Sequence, residues 1–255
     1  MEPMLFRFTI RATYDTLPSP TNLSIWGLTD DSKCVKCQQR GTLQHILSAC
    51  PKSLASGLYT WRHNQVLEVI GNALDDIIRN FNSQPSSKSS KPAQIAFVKE
   101  GSKPGQSKSK PPRGILAGAK DWELRLDLNS RLYFPPEVIL TDMRPDLIIW
   151  SKGAKTIIIG ELSVPWEDNI DERNEYKRGK YQDLVSDIQA RGWTVHLFPF
   201  ELGCRGFATN TLFKFLSRLG ANSRLRKSAM SRAAEAASRG SAWVWSKYLA
   251  AARVT

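Results

Sequence analysis

Long apolar runs are missing from this 255-residue chain, and so is a secretory signal. No apolar stretch approaches the roughly 20 residues that a membrane-spanning helix requires. The apolar segment at residues 4–10 is short and is interrupted by Arg7, so it lacks the form of a signal peptide. We therefore expect a protein that is neither membrane-spanning nor secreted, with its thiols in a reducing compartment.

Cysteine is scarce, at four residues, and three of the four lie close to a histidine in the pattern Cys34-x2-Cys37-x7-His45-x4-Cys50. Three thiolates and one imidazole at this spacing favour zinc over disulfides. Four protein ligands leave no open position, so we expect a structural zinc whose loss unfolds the N-terminal region rather than stops chemistry. The segment between the first and last of these cysteines contains no aromatic residue, which disfavours base stacking by it.

Acidic residues are nearly absent from two long segments, although 24% of all residues are charged. Residues 82–120 contain eight Lys or Arg and one acid, and residues 204–255 contain ten Lys or Arg and one acid. Together they exceed the net charge of +12, so the rest of the chain is net negative. A single basic segment is ordinarily a solvated face. Two basic segments that flank an acidic core instead favour nucleic acid as the partner, bound through its phosphates with salt-sensitive affinity.

The order of predicted elements indicates an α/β protein with a mixed sheet. Composition divides the chain into a helical Cys-Cys-His-Cys zinc-binding domain at 1–81, a basic Ser/Lys/Pro-rich linker at 82–120, a sheet core at 121–203 and a basic helical tail at 204–255. Apolar patterning places helices at 4–14, 55–81 and 170–191, and strands at 122–128, 145–150, 155–163 and 193–199. The tail predicts two or three helices, with an apolar face around Trp245 and Tyr248 that we expect to pack on the sheet domain.

Two acids bracket a predicted β-hairpin in the sheet core. Asp146 precedes the apolar run 147–150, and Glu161 follows the second run at 156–159, with Gly153 in the turn between them. The hairpin would bring both carboxylates to one edge of the sheet. Two carboxylates beside a basic helix can hold magnesium against a phosphodiester. The alternative is a surface hairpin whose acids are solvated.

The helix that follows the hairpin carries candidate partners for these acids. Lys177, Lys180 and Tyr181 are spaced i, i+3, i+4 and therefore share one helix face. One lysine would orient the attacking water or offset the charge on a pentacovalent phosphorane. The spacing does not choose between the two lysines, and Tyr181 would assist or only pack. His63 and His196 have no evident partner in the sequence, so we expect both to be structural.

The two acids, with fourteen residues between them, resemble the core of PD-(D/E)XK nucleases. The usual lysine two residues after the second acid is replaced by Ser163. A lysine displaced into the next helix, as in Lys-x-x-Lys-Tyr at 177–181, resembles the restriction-like endonuclease of site-specific non-LTR retrotransposons. In those elements a Cys-Cys-His-Cys knuckle precedes the nuclease. The stretches 13–18, 161–167 and 203–207 also resemble such sequences.

The resemblance implies a PD-(D/E)XK restriction-endonuclease-like core with a helical C-terminal tail, preceded by a small helical zinc-knuckle domain. It implies a magnesium-dependent DNA endonuclease that nicks target DNA so that reverse transcription starts at the nick. Asp146 and Glu161 would bind magnesium, and an upstream acid, Asp127 in preference to Glu123, would complete the site. The implied partners are DNA, RNA as a further candidate, and a reverse transcriptase domain in the native gene product.

The chain also departs from a complete element, because it contains no paired-aspartate polymerase motif with apolar flanks. We therefore expect a C-terminal fragment, a decayed copy or a host gene derived from such an element. The DNA substrate and the basic segments predict nuclear localisation, with the cytoplasm as the alternative. Two other functions stay open: a nucleic-acid-binding protein that has lost cleavage, and a non-enzymatic RNA- or DNA-binding interaction module.

Overall fold

The computed structural model describes residues 2–83, 114–128 and 130–253. Within this part of the chain, four strands form one mixed sheet, namely β1 (Trp122–Leu126), β2 (Leu147–Ser151), β3 (Thr156–Ser163) and β4 (Thr194–Glu201). The strands lie in the order β1-β2-β3-β4. The first three are antiparallel neighbours, and β4 runs parallel to β3. The predicted α/β class with a mixed sheet is therefore confirmed.

The described α-helices are α1 (Pro3–Thr13), α2 (Pro20–Ile25), α3 (Pro51–Ala55), α4 (Leu58–Ser83), α5 (Ile170–Lys180), α6 (Gln182–Ala190), α7 (Asn210–Leu219) and α8 (Ser223–Ala252). Helix α1 buries Leu5, Phe8 and Ala12, which are spaced three and four residues apart as an amphipathic helix requires. The predicted helix at 55–81 is α4, and its buried face includes Val66 and Ile70. Short helical turns also occur at His45–Ala49, Ile115–Gly118 and Glu167–Asn169.

The two faces of the sheet are covered by different helices. Along β2, Leu147 and Ile149 face the cluster that contains α4, α7 and α8. Ile148 and Trp150, which alternate with them, face the cluster that contains α6. Every residue of β2 and β3 is buried. The continuous apolar runs thus belong to central strands that are covered on both faces.

Helix α4 joins the N-terminal region to the sheet, because it packs against both β1 and α8. At Gly71 the helix approaches β1 so closely that an added Cβ would meet the Leu126 side chain. A larger residue at this position would force the Leu126 side chain to move. This contact fixes the position of α4, and of the residues one to two turns before Gly71, relative to the strands that carry the predicted acids.

Two predicted elements differ from the structure. The helix at 170–191 is two helices, α5 and α6, because the chain breaks at Tyr181, whose side chain is fully buried. The last strand continues past Pro199 to Glu201. Proline is tolerated there because β4 is an edge strand and only one of its sides belongs to the hydrogen-bonded ladder. The tail forms two helices, within the predicted number.

The apolar face of α8 does not pack on the sheet as expected. Trp245 and Tyr248 belong to a cluster with α1 and with the cysteine-containing segment, including Leu5, Phe8 and Cys34. None of the described helices is both long enough and apolar enough to cross a membrane. Of the predicted linker at 82–120, residues 84–113 lie outside the described residues. Its last part contains Leu116, which is fully buried.

Candidate functional site

The β2–β3 hairpin brings Asp146 and Glu161 into direct contact. The register pairs Leu147 with Gly160, so the two acids lie opposite each other just beyond this pair. The backbone N–H of Asp146 donates to Glu161 Oε2 at 3.0 Å. In return, the backbone N–H of Leu162 donates to Asp146 Oδ2 at 2.7 Å. Each carboxylate is therefore oriented by the opposite strand.

The two carboxylates differ in burial and in the number of partners. The Glu161 side chain is 3% exposed and that of Asp146 is 17% exposed. Both Glu161 oxygens have partners, because Oε1 faces the ammonium groups of Lys177 and Lys180. Within the described part of the chain, Asp146 Oδ1 accepts no hydrogen bond. The buried Glu161 carboxylate needs these partners to offset the cost of its desolvation. Asp146 Oδ1 has no such partner among the described residues and can accept a further ligand.

Both candidate lysines reach Glu161 from the last turns of α5. Lys177 Nζ donates directly to Glu161 Oε1. Lys180 Nζ lies 3.7 Å from the same oxygen. Helix α5 is fixed by Asn174, whose side-chain amide donates to the Pro199 carbonyl at 3.2 Å and to Glu201 Oε1 at 2.9 Å. The edge of the sheet thus fixes the helix that presents the lysines.

Tyr181 lies at the break between α5 and α6 with its side chain fully buried. Its hydroxyl donates to the Arg144 carbonyl at 3.2 Å and accepts from Lys180 Nζ at 2.9 Å. Burial raises the pKa of Tyr181 far above its ordinary value, and the nearby charges of Glu161 and Asp146 raise it further. The phenol therefore stays protonated and orients Lys180.

Of the two upstream acids, only Asp127 lies beside the pair. It directly follows β1, and its backbone N–H donates to the Asp146 carbonyl at 2.8 Å. One of its side-chain oxygens accepts from the backbone N–H of Leu132 at 2.9 Å. Glu123 pairs instead with Trp150, at the other end of β2.

Sequence reasoning missed His63, which α4 places against the acid pair. Its Nε2 lies 3.3 Å from Asp146 Oδ2, and its Nδ1 lies 3.2 Å from Asn64 Oδ1. Burial lowers the pKa of His63, but the hydrogen bond and the charge of Asp146 outweigh burial, so the pKa is raised. The two residues are far apart in sequence, and only the docking of α4 on the sheet brings them together. No local pattern could have indicated this contact.

The second group of donors is Cys34, Cys37, His45 and Cys50. Their ligand atoms all lie within 4.8 Å of one another, and this is the only such group of three or more in the described residues. Cys37 Sγ lies 3.1 Å from His45 Nε2, and Cys34 Sγ lies 4.0 Å from Cys50 Sγ. Burial lowers the pKa of His45, which favours the neutral imidazole that binds metals. The four residues could therefore hold a metal ion.

Among the described residues, Asp146 and Glu161 do not belong to a group of three or more His, Cys, Asp or Glu donors that could hold a metal ion. A cation there would have two protein carboxylates and would take its other ligands from water or a substrate. Magnesium is bound in this way at phosphate-processing sites, by one or two carboxylates together with phosphate oxygens.

A buried arginine connects the cysteine group to the acid pair. Arg62, next to His63 on α4, is 2% exposed. It donates to the Leu47 carbonyl at 2.7 Å and to Ser241 Oγ on α8 at 2.9 Å. A third bond, at 3.0 Å, reaches the Val164 carbonyl just after β3. One side chain thus joins the cysteine-containing segment, the C-terminal helix and the end of the strand that carries Glu161.

The basic residues of the tail lie largely on its surface. The exposed cations of α7 and α8 include Lys214, Arg218, Arg224, Lys227, Arg232, Arg239 and Lys247. Arg239 is paired with Glu235 at 2.8 Å. These helices thus present a mainly positive surface.

The chain was also compared with known proteins. No protein-family model matches it, and no curated protein matches it. The interpretation of the site therefore depends on its geometry and chemistry.

Proposed function

We propose that this protein is a magnesium-dependent DNA endonuclease with a PD-(D/E)XK-type core and a structural zinc knuckle, derived from a non-LTR retrotransposon. The observation that carries the proposal is the contact between Asp146 and Glu161, together with the ammonium of Lys177 on Glu161. Target DNA in the nucleus and a reverse transcriptase domain in the native gene product would be its natural setting.

The residues divide the chemistry between them. Asp146 and Glu161 would hold magnesium, which polarises the phosphoryl oxygen and lowers the pKa of bound water. Lys177 balances the charge of Glu161 and would offset the negative charge that develops on the phosphorane. Tyr181 keeps Lys180 next to the same carboxylate. Asp127, whose backbone N–H donates to the Asp146 carbonyl, would contribute through a water molecule.

The cysteine group would hold zinc in a purely structural role. Three thiolates and one imidazole match the preference of zinc for soft, tetrahedral ligation, and they leave no position for a substrate. Helices α7 and α8 would bind the phosphate backbone through their exposed cations. Such contacts give affinity that falls steeply with salt and carries little sequence information.

A nicking assay on supercoiled plasmid tests the proposal. The wild type should nick in magnesium and not in EDTA, and Asp146→Asn should lose nicking while it keeps its fold and its DNA binding. Asp142→Asn is the matched control, because Asp142 is exposed and lies four residues away. Nicking by Asp146→Asn at the wild-type rate would show that the site is assigned wrongly.

One observation favours the second candidate, a nucleic-acid-binding protein without cleavage. Glu161 already has partners on both oxygens, so Lys177 balances its charge without a metal ion. The same assay separates the two functions. Salt-sensitive DNA binding by a wild type that never nicks, in magnesium or manganese and across several DNA substrates, would support the binding protein.

A further inference from the structure

We propose that His63 is a positioning residue of the acid pair, which orients the Asp146 carboxylate for cation binding. The contact is between His63 Nε2 and Asp146 Oδ2, which lie 3.3 Å apart, at ion-pair distance. The inference depends on the proposed function, because it assumes that the pair binds a divalent cation. It adds a residue from α4, outside the sheet core, to a site otherwise built from β2, β3 and α5.

The protein contacts of the Asp146 carboxylate fall on one of its two oxygens. Oδ2 accepts a hydrogen bond from the backbone N–H of Leu162 and lies 3.3 Å from His63 Nε2. These two contacts on one oxygen hold the plane of the carboxylate, and Oδ1 accepts no hydrogen bond in the described structure. Outer-shell partners of this kind orient a metal ligand, and their loss typically weakens metal binding by about 10- to 100-fold.

His63 is itself held in place from both sides. Its Nδ1 lies against Asn64 Oδ1, which restrains rotation of the ring. Its neighbour Arg62 makes three hydrogen bonds to separate segments, which fix the backbone of α4 at this point. With its side chain 23% exposed, His63 is not a core residue whose packing would explain the position. A restrained donor aimed at a candidate ligand is the arrangement that pre-organises a site.

The alternative role for His63 is simple packing between α4 and the hairpin. Two substitutions separate the roles. Phenylalanine keeps the ring volume but has no hydrogen-bond donor, whereas glutamine loses the ring but keeps an N–H that can reach the carboxylate. If His63 only packs, His63→Phe should bind a divalent cation as tightly as the wild type does. If His63 positions Asp146, His63→Gln should keep that affinity instead.

Manganese binding, followed by electron paramagnetic resonance of the free ion, provides the measurement. Mn²⁺ shares the preference of Mg²⁺ for oxygen ligands. We expect His63→Phe to weaken binding by about 10-fold or more and His63→Gln to stay within about 3-fold of the wild type. His196→Phe is the matched control, since His196 lies on β4 and contacts Phe198 rather than an acid. Wild-type affinity in His63→Phe, or equal weakening in both His63 variants, would overturn the proposal.

Plasmid nicking by the same proteins separates this inference from the proposed function. If the wild type binds manganese in a His63-dependent manner but never nicks DNA, the endonuclease assignment is wrong and the positioning role stands. If the wild type nicks and His63→Phe binds manganese normally, the positioning role is wrong and the endonuclease stands. Excess manganese should restore nicking in His63→Phe, because the substitution weakens binding and leaves Asp146 and Glu161 in place.

Discussion

At the scale of single residues, the structure distinguishes groups that the sequence left equivalent. Lys177 and Lys180 lie on one predicted helix face, and their spacing could not separate them. Lys177 contacts Glu161 directly, whereas Lys180 is 3.7 Å away and donates to Tyr181. The two lysines differ in their distance from Glu161 because of the position at which α5 ends against the sheet. The sequence pattern does not define that position. If the protein is the proposed endonuclease, we expect Lys177 to make the larger catalytic contribution.

Substitution of each lysine by methionine tests this assignment. Lys177→Met should lower the single-turnover nicking rate by on the order of 100-fold, because one preorganised charge at the phosphate is lost. Lys180→Met should lower it by less than about 10-fold. DNA affinity should change little in either variant, as each loses at most one phosphate contact. Lys152→Met, in the exposed hairpin turn, is the control. Equal losses in both variants would contradict the assignment.

At the scale of elements, local pattern predicted the strands and the hairpin well because their signals are short-range. β-branched runs and a polar turn were sufficient for β2 and β3, and the contact between Asp146 and Glu161 follows from that hairpin. Details that depend on tertiary packing were missed. The buried Tyr181 divides the predicted helix at 170–191, and the hairpin turn is held by Asp121, which accepts from the Gly153 backbone N–H at 2.7 Å.

The hairpin turn places its backbone strain at a lysine. Gly153 lies in the turn as predicted, but Lys155 has positive φ, at 45°. A side chain in this region costs about 1–2 kcal/mol, a cost that glycine does not have. Lys155→Gly should therefore raise the free energy of unfolding by about 1 kcal/mol, measured by chemical denaturation. Lys152→Gly, outside the positive-φ region, should lower it. A loss of stability in Lys155→Gly would argue against strain at this position.

At the scale of the whole molecule, the least predictable feature is the connection between the two candidate metal sites. The cysteine spacing alone indicated a metal site, and the hairpin alone indicated the acid pair. Neither pattern indicates that two consecutive residues of α4 link these sites. Arg62 is hydrogen-bonded to the Leu47 carbonyl near the cysteines, and His63 contacts Asp146. Such contacts arise only when a helix docks on a sheet across a long sequence separation, so a pattern within one segment cannot contain them.

This connection changes the expected effect of zinc removal. A knuckle that folds independently would lose only its own structure, as the sequence suggested. Here Tyr59 on α4 accepts from the Cys50 backbone N–H at 3.0 Å, so the start of α4 is tied to a candidate zinc ligand. Loss of zinc should loosen α4 and withdraw support from His63 and Asp146.

We expect chelation of zinc, or Cys37→Ser, to lower the melting temperature and also to weaken manganese binding at the acid pair by about 10-fold, the scale of a lost outer-shell contact. Zinc added back should restore both properties in the wild type, and magnesium should restore neither. The comparison with His63→Phe tests the route, because its manganese affinity should already be reduced and should fall little further without zinc. Additive losses would mean that zinc acts on Asp146 by a route other than His63.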